Sequence, residues 1–450
     1  MKISLFKAFL LWCVLFPALS LAQGKAPELS LINNTKKALA QVQADAKIDA
    51  NAALKLLSSY NTYPAVKTTG TNYVYFYNDA YYGKVPLQVF IPATYKNARP
   101  SPCVMMLHGA VGQSHFSDID STAPTDEDIL FDILKKQDYI IIRPIGDSKK
   151  QFDWVVNRFA SWREQHANLT FKALNSILVS LKGVLNIDDN RVFALGHSDG
   201  SDGAVGLGVY SPNMYGGIVG YNSMLANLST RDFFIKNIIN RPLYLVHSDK
   251  DDLRPMTMTR DVVNKLKAAG SHVVYKEYIG YEHYDKHLTK DLPAAIDYMK
   301  GVKRNPYPSK VEWTTVSDTI YNACDWLTIT KADISKAKAD WDTEFNLRAF
   351  NKKTGEYYDA DYYYYVPNSV TVKASYNKNT FTLQTSRVGE VELLISPQMV
   401  NLDEPVVIIA NGKQVYNGKV AADKNYLFNN FQKTVDRQAL WVNSIKVKVD

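Results

Sequence analysis

The stretch Arg191-Val-Phe-Ala-Leu-Gly-His-Ser-Asp-Gly200 constrains the fold of this chain more than any other. Val192 to Leu195 are apolar and read as a strand, which stops at Gly196-His197-Ser198-Asp199-Gly200. The small-residue run that follows, Ser201-Asp-Gly-Ala-Val-Gly-Leu-Gly208, reads as a closely packed helix. A serine with glycine two residues to either side, on a strand-to-helix turn, has the G-x-S-x-G pattern of a nucleophile elbow. Such a turn holds the serine backbone in a sparsely populated conformation and presents its hydroxyl at the mouth of the helix. A side chain at either flanking glycine would collide with neighbouring backbone. The pentapeptide is made of common residues; its place between a strand and a helix gives it weight.

Around the elbow, strands and helices alternate. Cys103-Val-Met-Met-Leu107 and Tyr139-Ile-Ile-Ile-Arg143 are continuous apolar runs of the kind buried on both faces of a sheet. Asp126 to Gln137 carries Ile129, Leu130, Ile133 and Leu134 on one face and reads as a helix. Ala167 to Val184, Arg260 to Ala269 and Leu288 to Met299 read likewise, and Tyr215 to Asn222, Arg241 to His247 and Val273 to Ile279 read as strands. Tyr73-Val-Tyr-Phe-Tyr77 and Val85-Pro-Leu-Gln-Val-Phe-Ile91 precede them as an antiparallel pair. The alternation predicts βαβ units over residues 71–304, a mostly parallel central sheet with helices on both faces. Residues 23–70, polar and alanine-rich, are expected to form one or two amphipathic helices packed on that domain.

Asn305-Pro-Tyr-Pro308 reads as a linker, and the pattern changes beyond it. Tyrosine-heavy β segments dominate, among them Thr314 to Thr319, Tyr362 to Val366, Val370 to Ala374, Thr380 to Thr385 and Glu390 to Ile395. Asn411-Gly412 between Val406-Val-Ile-Ile-Ala410 and Gln414-Val-Tyr416 is a strong hairpin signal. Residues 305–450 are therefore expected to form a β-sandwich domain, with one short helix over Lys331 to Asp340.

A serine hydroxyl becomes a nucleophile when a base takes its proton, and the base needs an acid to orient it. On an α/β-hydrolase sheet these partners follow in the order serine, acid, histidine, each past the carboxyl end of a later strand. After Arg241-Pro-Leu-Tyr-Leu-Val246 comes His247-Ser-Asp-Lys-Asp-Asp-Leu-Arg-Pro255, and after Val273 to Ile279 comes Gly280-Tyr-Glu-His283. Asp251 is the candidate acid, with Asp249 and Asp252 as competitors. His283 is the candidate base, with His287, His247 and His272 as competitors, while His197 reads as a packed residue of the elbow.

With these motifs the sequence resembles an α/β-hydrolase-fold serine hydrolase, near the secreted bacterial esterases of the polyhydroxybutyrate-depolymerase and feruloyl-esterase type. The resemblance covers roughly residues 70–300. The family's acid loop, H-G-x-x-D-x-x-V-P, is matched here at His247, Asp251 and Pro255, with Ser248 in place of the glycine and Arg254 in place of the aliphatic residue. The resemblance implies an oxyanion hole made by the backbone N–H groups of Asp199 and Ala110, with Gly109 or Val111 as alternatives to Ala110. An acidic side chain at Asp199 is a departure: it has to point away from the oxyanion or bind a cationic part of the substrate. Phe152, Trp154 and Trp162, in the aromatic segment 146–165, are candidates for stacking on a sugar or aryl acid, against the plainer reading that some are core.

At 46% hydrophobic and 22% charged, the 450 residues hold enough apolar mass for a large core. The net charge of +7 is spread along the chain without a Lys/Arg block, so no nucleic-acid partner is expected. Lys2 and Lys7, the apolar run Phe9 to Leu19 and Ser20-Leu21-Ala22 have the form of a signal peptide over residues 1–22. A secreted or periplasmic protein without stable membrane insertion follows as the expectation. Cys103 and Cys324 would both remain after cleavage, and Cys103 in its apolar strand is expected to be a free buried thiol. No cofactor or metal is implied. The expected activity is cleavage of a carboxylic ester, an acyl or feruloyl ester on a polysaccharide. The alternatives are a serine peptidase with the same triad and a non-catalytic glycan-binding protein on this fold.

Overall fold

The computed structural model of the chain describes residues 26–31, 35–120, 126–155, 168–223, 225, 232–254, 256–343, 345, 348–351, 354, 356–359 and 368–449. The expected signal peptide over residues 1–22, the expected strand over 362–366 and Trp162 lie outside the described residues.

Eight strands form the larger sheet: β1 (Thr71–Asp79), β2 (Gly83–Ile91), β3 (Ser101–Leu107), β4 (Ile140–Pro144), β5 (Ile187–His197), β6 (Gly217–Tyr221), β7 (Leu243–Ser248) and β8 (Val273–Tyr278). Their spatial order is β1-β2-β4-β3-β5-β6-β7-β8. β3 to β8 run parallel, and β2 runs antiparallel to both of its neighbours. This order, with a single antiparallel second strand and helical crossovers, is the α/β-hydrolase sheet. The chain leaves β3 towards β4 and then returns to build β5 on the other side. That reversal opens a crevice at the carboxyl ends of β3 and β5, where ligands bind in open α/β sheets.

The apolar runs become central strands because both of their faces are covered. In β3, Cys103, Met105 and Leu107 enter one core while Val104 and Met106 enter the core on the opposite face. β5 divides in the same way, with Val192 and Ala194 on one side and Phe193 and Leu195 on the other. Fully burying a Val, Leu, Phe or Met side chain contributes about 1.5–3 kcal/mol, so these strands are firm supports for the loops at their ends. Two short helices, α1 (Thr35–Ala44) and α2 (Ala50–Ser58), precede the sheet. The helices flanking it are α3 (Asp126–Leu134), α4 (Thr170–Lys182), α5 (Asp199–Tyr210), α6 (Met256–Ala268) and α7 (His287–Gly301). α4, α5 and α6 cover the first face, through residues such as Phe171, Ala204 and Val263. α3 and α7 cover the second, through Leu130, Leu134, Leu292 and Ile296.

Beyond residue 309 the chain forms β9 (Lys310–Thr315), β10 (Ala323–Cys324), β11 (Leu327–Ala332), β12 (Arg348–Asn351), β13 (Glu356–Asp359), β14 (Val370–Asn377), β15 (Thr380–Ser386), β16 (Val388–Ile395), β17 (Val406–Ala410), β18 (Lys413–Gly418), α8 (Lys424–Thr434) and β19 (Asn443–Lys448). One sheet has the order β18-β17-β15-β14-β9, another β10-β11-β16-β19, and β12 pairs with β13. Inward residues of the two larger sheets, among them Trp313, Val372 and Phe381 with Ile329, Val391 and Ile445, share one core. This is a β-sandwich following the α/β-hydrolase fold. The Asn411-Gly412 turn joins β17 to β18 with φ of 50° and 82°, the positive pair that a type I′ hairpin turn requires.

Three local expectations need correction. The helix expected over Lys331 to Asp340 does not form; β11 continues to Ala332, paired with β16 across register shifts on either side of Lys331, and strand pairing outweighs local propensity there. The amino-terminal helices do form and they pack against α8, while Leu29 and Val66 of the same segment pack into the core of the larger sheet. Leu39, Ala53 and Leu57 share a core with Leu427, Phe428 and Phe431, and α8 itself falls where no helix was expected. The third concerns Phe152 and Trp154, whose placement is described with the site. Cys103 and Cys324 are both buried and unpaired.

Buried ion pairs join the two domains. Arg304 binds Asp436 at 2.8 Å, while Asp189 takes Lys182 at 2.7 Å and Arg437 at 2.8 Å. Arg241 grips Asp325 with both ends of its guanidinium. Asn237 completes the joint by exchanging two hydrogen bonds with the backbone of Thr314, at 2.9 and 3.0 Å. Burial opposes ionisation of Asp436, but the Arg304 guanidinium and Lys182 hold its carboxyl well below the usual range.

Candidate active site

Ser198 sits on the sharp turn between β5 and α5 with φ 58° and ψ −125°, a region that a residue with a β-carbon occupies only under constraint. The flanking glycines supply the constraint. A β-carbon on Gly196 would lie 2.2 Å from the backbone of Gly200, and one on Gly200 would lie 1.9 Å from the carbonyl oxygen of Leu107. The elbow is thus pressed onto the end of β3 so closely that only hydrogen fits. Ser198 N donates to Tyr221 O at 3.0 Å, which ties the turn to β6 on its other side.

Three side chains from separate loops meet here. His283 Nε2 is 2.9 Å from Ser198 Oγ, and His283 Nδ1 is 2.7 Å from Asp251 Oδ2. Asp251 follows β7 and is buried; His283 follows β8 and keeps its side chain 13% exposed, so the ring is open towards the crevice. Asp251 accepts from His283 on Oδ2 and from the amide N–H of Arg254 on Oδ1 at 2.7 Å. A carboxylate accepts only, so His283 Nδ1 carries the proton and Nε2 is left to accept from the serine. Burial acts against ionisation of Asp251, but hydrogen bonds from His283, Asn222 and Arg254 N outweigh it and hold the carboxyl below its ordinary value.

The competing residues make their hydrogen bonds to other partners, although His247 Nε2 lies 3.6 Å from Asp251 Oδ2. Asp249 Oδ1 accepts from Gly280 N at 2.6 Å and closes a surface turn, and Asp252 is exposed. His272 is exposed ahead of β8. His247 is fully buried, with Nε2 donating to Arg254 O at 2.6 Å. His287 is also fully buried, with Nε2 donating to Asn222 Oδ1 at 2.7 Å. His197 points away from the serine that it adjoins, and its Nε2 donates to the carbonyl of His283 at 3.0 Å. Burial pulls His197 down to about 3, with the nearby His283 adding to the effect, and burial pulls His287 to about 4. Both rings are neutral supports near pH 7.

Asn222 is a site residue that the motifs did not identify. It follows β6 with φ 51° and is fully buried. Its amide donates to Asp251 Oδ2 at 2.7 Å and to Ser248 Oγ at 2.6 Å, and accepts from His287. A continuous chain His287–Asn222–Asp251–His283–Ser198 results. Its position was the available signal, a polar residue at the carboxyl end of the strand between those bearing the elbow and the acid.

The loop after β3 faces the elbow. Ala110 has φ 46° and ψ 34°, is exposed, and starts a 3-10 turn over Val111–Gln113. Asp199 is the first residue of α5, so its N–H belongs to the helix amino terminus, where backbone donors and the helix dipole favour negative charge. The Asp199 side chain is buried and turns away from the serine. Its Oδ2 accepts from Val111 N at 3.1 Å and its Oδ1 from Arg254. Asp199 and Arg254, two of the three residues that depart from the motifs of the esterases the sequence resembles, therefore pair with each other.

Phe152 and Trp154, expected as candidates to stack on substrate, are both fully buried. Phe152 packs edge-on against Tyr82 at 5.0 Å and Phe116 at 5.6 Å. Trp154 lies against α5 where Gly203 leaves room, since a β-carbon there would be 2.6 Å from its ring. Its Nε1 donates to His108 O at 3.0 Å, and His108 Nε2 in turn accepts from Gly146 N at 3.0 Å. These rings brace the loop carrying Ala110 from below and have no face left for a ligand.

No family model matches the sequence, and no curated protein matches it. Among solved structures the chain is similar to a thermostable esterase, at 18% identity and TM-score 0.41, over 52% of this chain and 63% of that one. It is similar to a thermophilic esterase from the Planctomycetes species Thermogutta terrifontis, at 13% identity and TM-score 0.41, over 51% and 91%. An S-formylglutathione hydrolase from Agrobacterium tumefaciens aligns at 10% identity and TM-score 0.40, over 54% and 99%.

Proposed function

We propose that this chain is an exported serine hydrolase that cleaves a carboxylic ester through an acyl-enzyme. The carrying observation is the alignment of Ser198 Oγ, His283 and Asp251 through two hydrogen bonds of 2.9 and 2.7 Å, with the serine held on a strained elbow at the crevice. In this reading His283 Nε2 takes the Ser198 proton as Oγ attacks the ester carbonyl carbon. The buried Asp251 carboxylate stabilises the imidazolium that forms, and holds the ring in the required tautomer. The carbonyl oxygen becomes an oxyanion facing the N–H groups of Asp199 and Ala110; one such donor contributes about 100- to 1,000-fold in rate. His283 then protonates the departing alcohol. A water, deprotonated by the same nitrogen, releases the acid and regenerates the serine.

The substrate proposed is an acyl or feruloyl ester on a polysaccharide, resting on the resemblance of the elbow, acid-loop and histidine motifs. Phe152 and Trp154 do not support an aryl-stacking surface. Export rests on the charged, apolar and small-residue pattern of residues 1–22. Among the described residues no helix is long and apolar enough to cross a membrane.

The test is turnover of p-nitrophenyl acetate together with labelling by a fluorophosphonate. Wild type is expected to hydrolyse the ester and take up the label at Ser198, and Ser198→Ala to lose both. Label on another residue, or undiminished turnover in Ser198→Ala, refutes the reading. Acylated sugars compared with peptide amides then separate esterase from peptidase, and faster amide cleavage would overturn the ester assignment.

A further inference from the structure

Arg254 is positioned to do more than fill the acid loop. Its backbone N–H donates to Asp251 Oδ1 at 2.7 Å, while its side chain reaches the elbow helix. There Nη2 donates to Asp199 Oδ1 and Nη1 to Asp202 Oδ2, the latter at 2.6 Å. Asp199 uses its other oxygen to accept from Val111 N at 3.1 Å. Asp202 uses its other oxygen to accept from Ser223 Oγ at 2.6 Å and Leu225 N at 2.8 Å. All three charged side chains are buried. A single guanidinium thus links the loop of the acid, the helix of the nucleophile and, through Asp199, the loop of Ala110.

We propose that Arg254 and Asp199 are positioning residues that set the oxyanion hole; this rests on the hydrolase reading above. Two physical effects combine. The hydrogen bond from Val111 N fixes the peptide next to Ala110, so the direction of the Ala110 N–H depends on where the Asp199 carboxylate is held. That carboxylate also belongs to the residue whose N–H faces the oxyanion, and a bare negative charge there would repel the charge that develops in the transition state. Arg254 neutralises it and fixes its position. The fork geometry matters, because only a guanidinium can span two carboxylates with parallel donors. The aspartate after the nucleophile is tolerated because the arginine accompanies it.

The experiment compares kcat and KM for p-nitrophenyl acetate, per active site counted by fluorophosphonate labelling, across a set of variants. Arg254→Leu leaves Asp199 charged and unneutralised. It is expected to lower kcat by roughly 30-fold or more with KM little changed, short of the ~1,000-fold upper range for losing an oxyanion donor outright. Adding Asp199→Asn removes the charge and keeps an oxygen to accept from Val111 N, so the double variant is expected to recover to within about 5-fold of wild type. Adding Asp199→Ala instead removes the charge together with the acceptor for Val111 N, and is expected to rescue only in part, clearly less than Asp199→Asn. Adding Asp202→Asn to Arg254→Leu relieves a buried charge without touching the Ala110 loop, so it is expected to raise thermal stability but not kcat. If Arg254→Leu does not fold, Arg254→Lys keeps one charge, loses the fork, and is expected to lose kcat by a smaller factor that Asp199→Asn partly restores. A kcat within 3-fold of wild type in Arg254→Leu or, where that variant does not fold, in Arg254→Lys overturns the proposal. Equal rescue by Asp202→Asn and Asp199→Asn overturns it as well. Ser198→Ala in the same assay keeps the two readings apart. If it remains active the hydrolase assignment fails; if it is inactive while Arg254→Leu is normal, only the positioning role fails.

Discussion

Asn222→Ala tests whether the chain of hydrogen bonds behind the serine works as a unit. The substitution removes the amide that donates to Asp251 Oδ2 at 2.7 Å, the same oxygen that receives His283 Nδ1 at 2.7 Å. A hydrogen bond to a charged group contributes about 1.5–3 kcal/mol. If that is expressed where the imidazolium forms, kcat falls by about 10- to 150-fold at 1.36 kcal/mol per decade. An opposing effect exists, since a carboxylate with one donor fewer is a stronger base and attracts the imidazolium more. It is expected to be the smaller effect, because loss of the amide removes one of the three hydrogen bonds that fix the rotation of Asp251 among the described residues, leaving those from Arg254 N and His283. Folding is weakened too, since the fully buried His287 Nε2–H loses its acceptor, at about 1–3 kcal/mol. The assay is kcat for p-nitrophenyl acetate per labelled active site, alongside thermal unfolding. Asn222→Asp gives a second signature. It sets a carboxyl against Asp251, the pair must share a proton, and activity should fall as pH rises and that proton leaves. Asn222→Ala with kcat within 3-fold of wild type and a full count of active sites would refute the argument.

The buried histidines make stability depend on pH. His197 and His287 have folded values of about 3 and about 4 against 6.5 when unfolded, so the unfolded chain binds more protons between those limits. Their contribution is complete above about pH 6.5 and is lost as pH falls towards 4, by about 2 kcal/mol for each ring at pH 5. Urea unfolding at pH 7 and pH 5 should show this loss, and His197→Leu should remove about half of it; an unchanged difference would contradict the assignment. Asp436→Ala leaves Arg304 and Lys182 buried without their shared carboxylate and should cost about 3–5 kcal/mol in thermal unfolding, with turnover per active site unchanged. Gly200→Ala should prevent a stable fold, at more than about 3 kcal/mol, since the added carbon meets the backbone oxygen of Leu107 at 1.9 Å. Gly270→Ala meets nothing within 4 Å and should cost only about 1–2 kcal/mol for its φ of 83°, so similar losses in the two variants would count against the steric reading of the elbow.

Local chemistry alone was enough to locate the elbow, the order of strands and helices around it, and the Asn411-Gly412 hairpin. Each is written in a short run of sequence: glycines flanking a strained serine, apolar runs long enough for a two-sided strand, a dipeptide that accepts positive φ. Asp251 and His283 were legible for a related reason, since a parallel sheet places the ends of successive strands along one edge. What the tertiary structure decided are the meetings between residues far apart in the chain. Asn222 reached the acid because β6 lies between β5 and β7. The Arg254 side chain of the acid loop met Asp199 of the elbow helix, and two residues unusual at their positions became one ion pair. Phe152 and Trp154 fitted ligand surface and core equally in the sequence, because aromatic residues among charges look alike whether exposed or buried; the fold made them core beneath the Ala110 loop. The amino-terminal helices carried an apolar face with no indication of its partner, and the sandwich supplied α8. A sequence states which faces must be covered and which groups must be satisfied. Which distant residue does so follows from the packing of the whole chain.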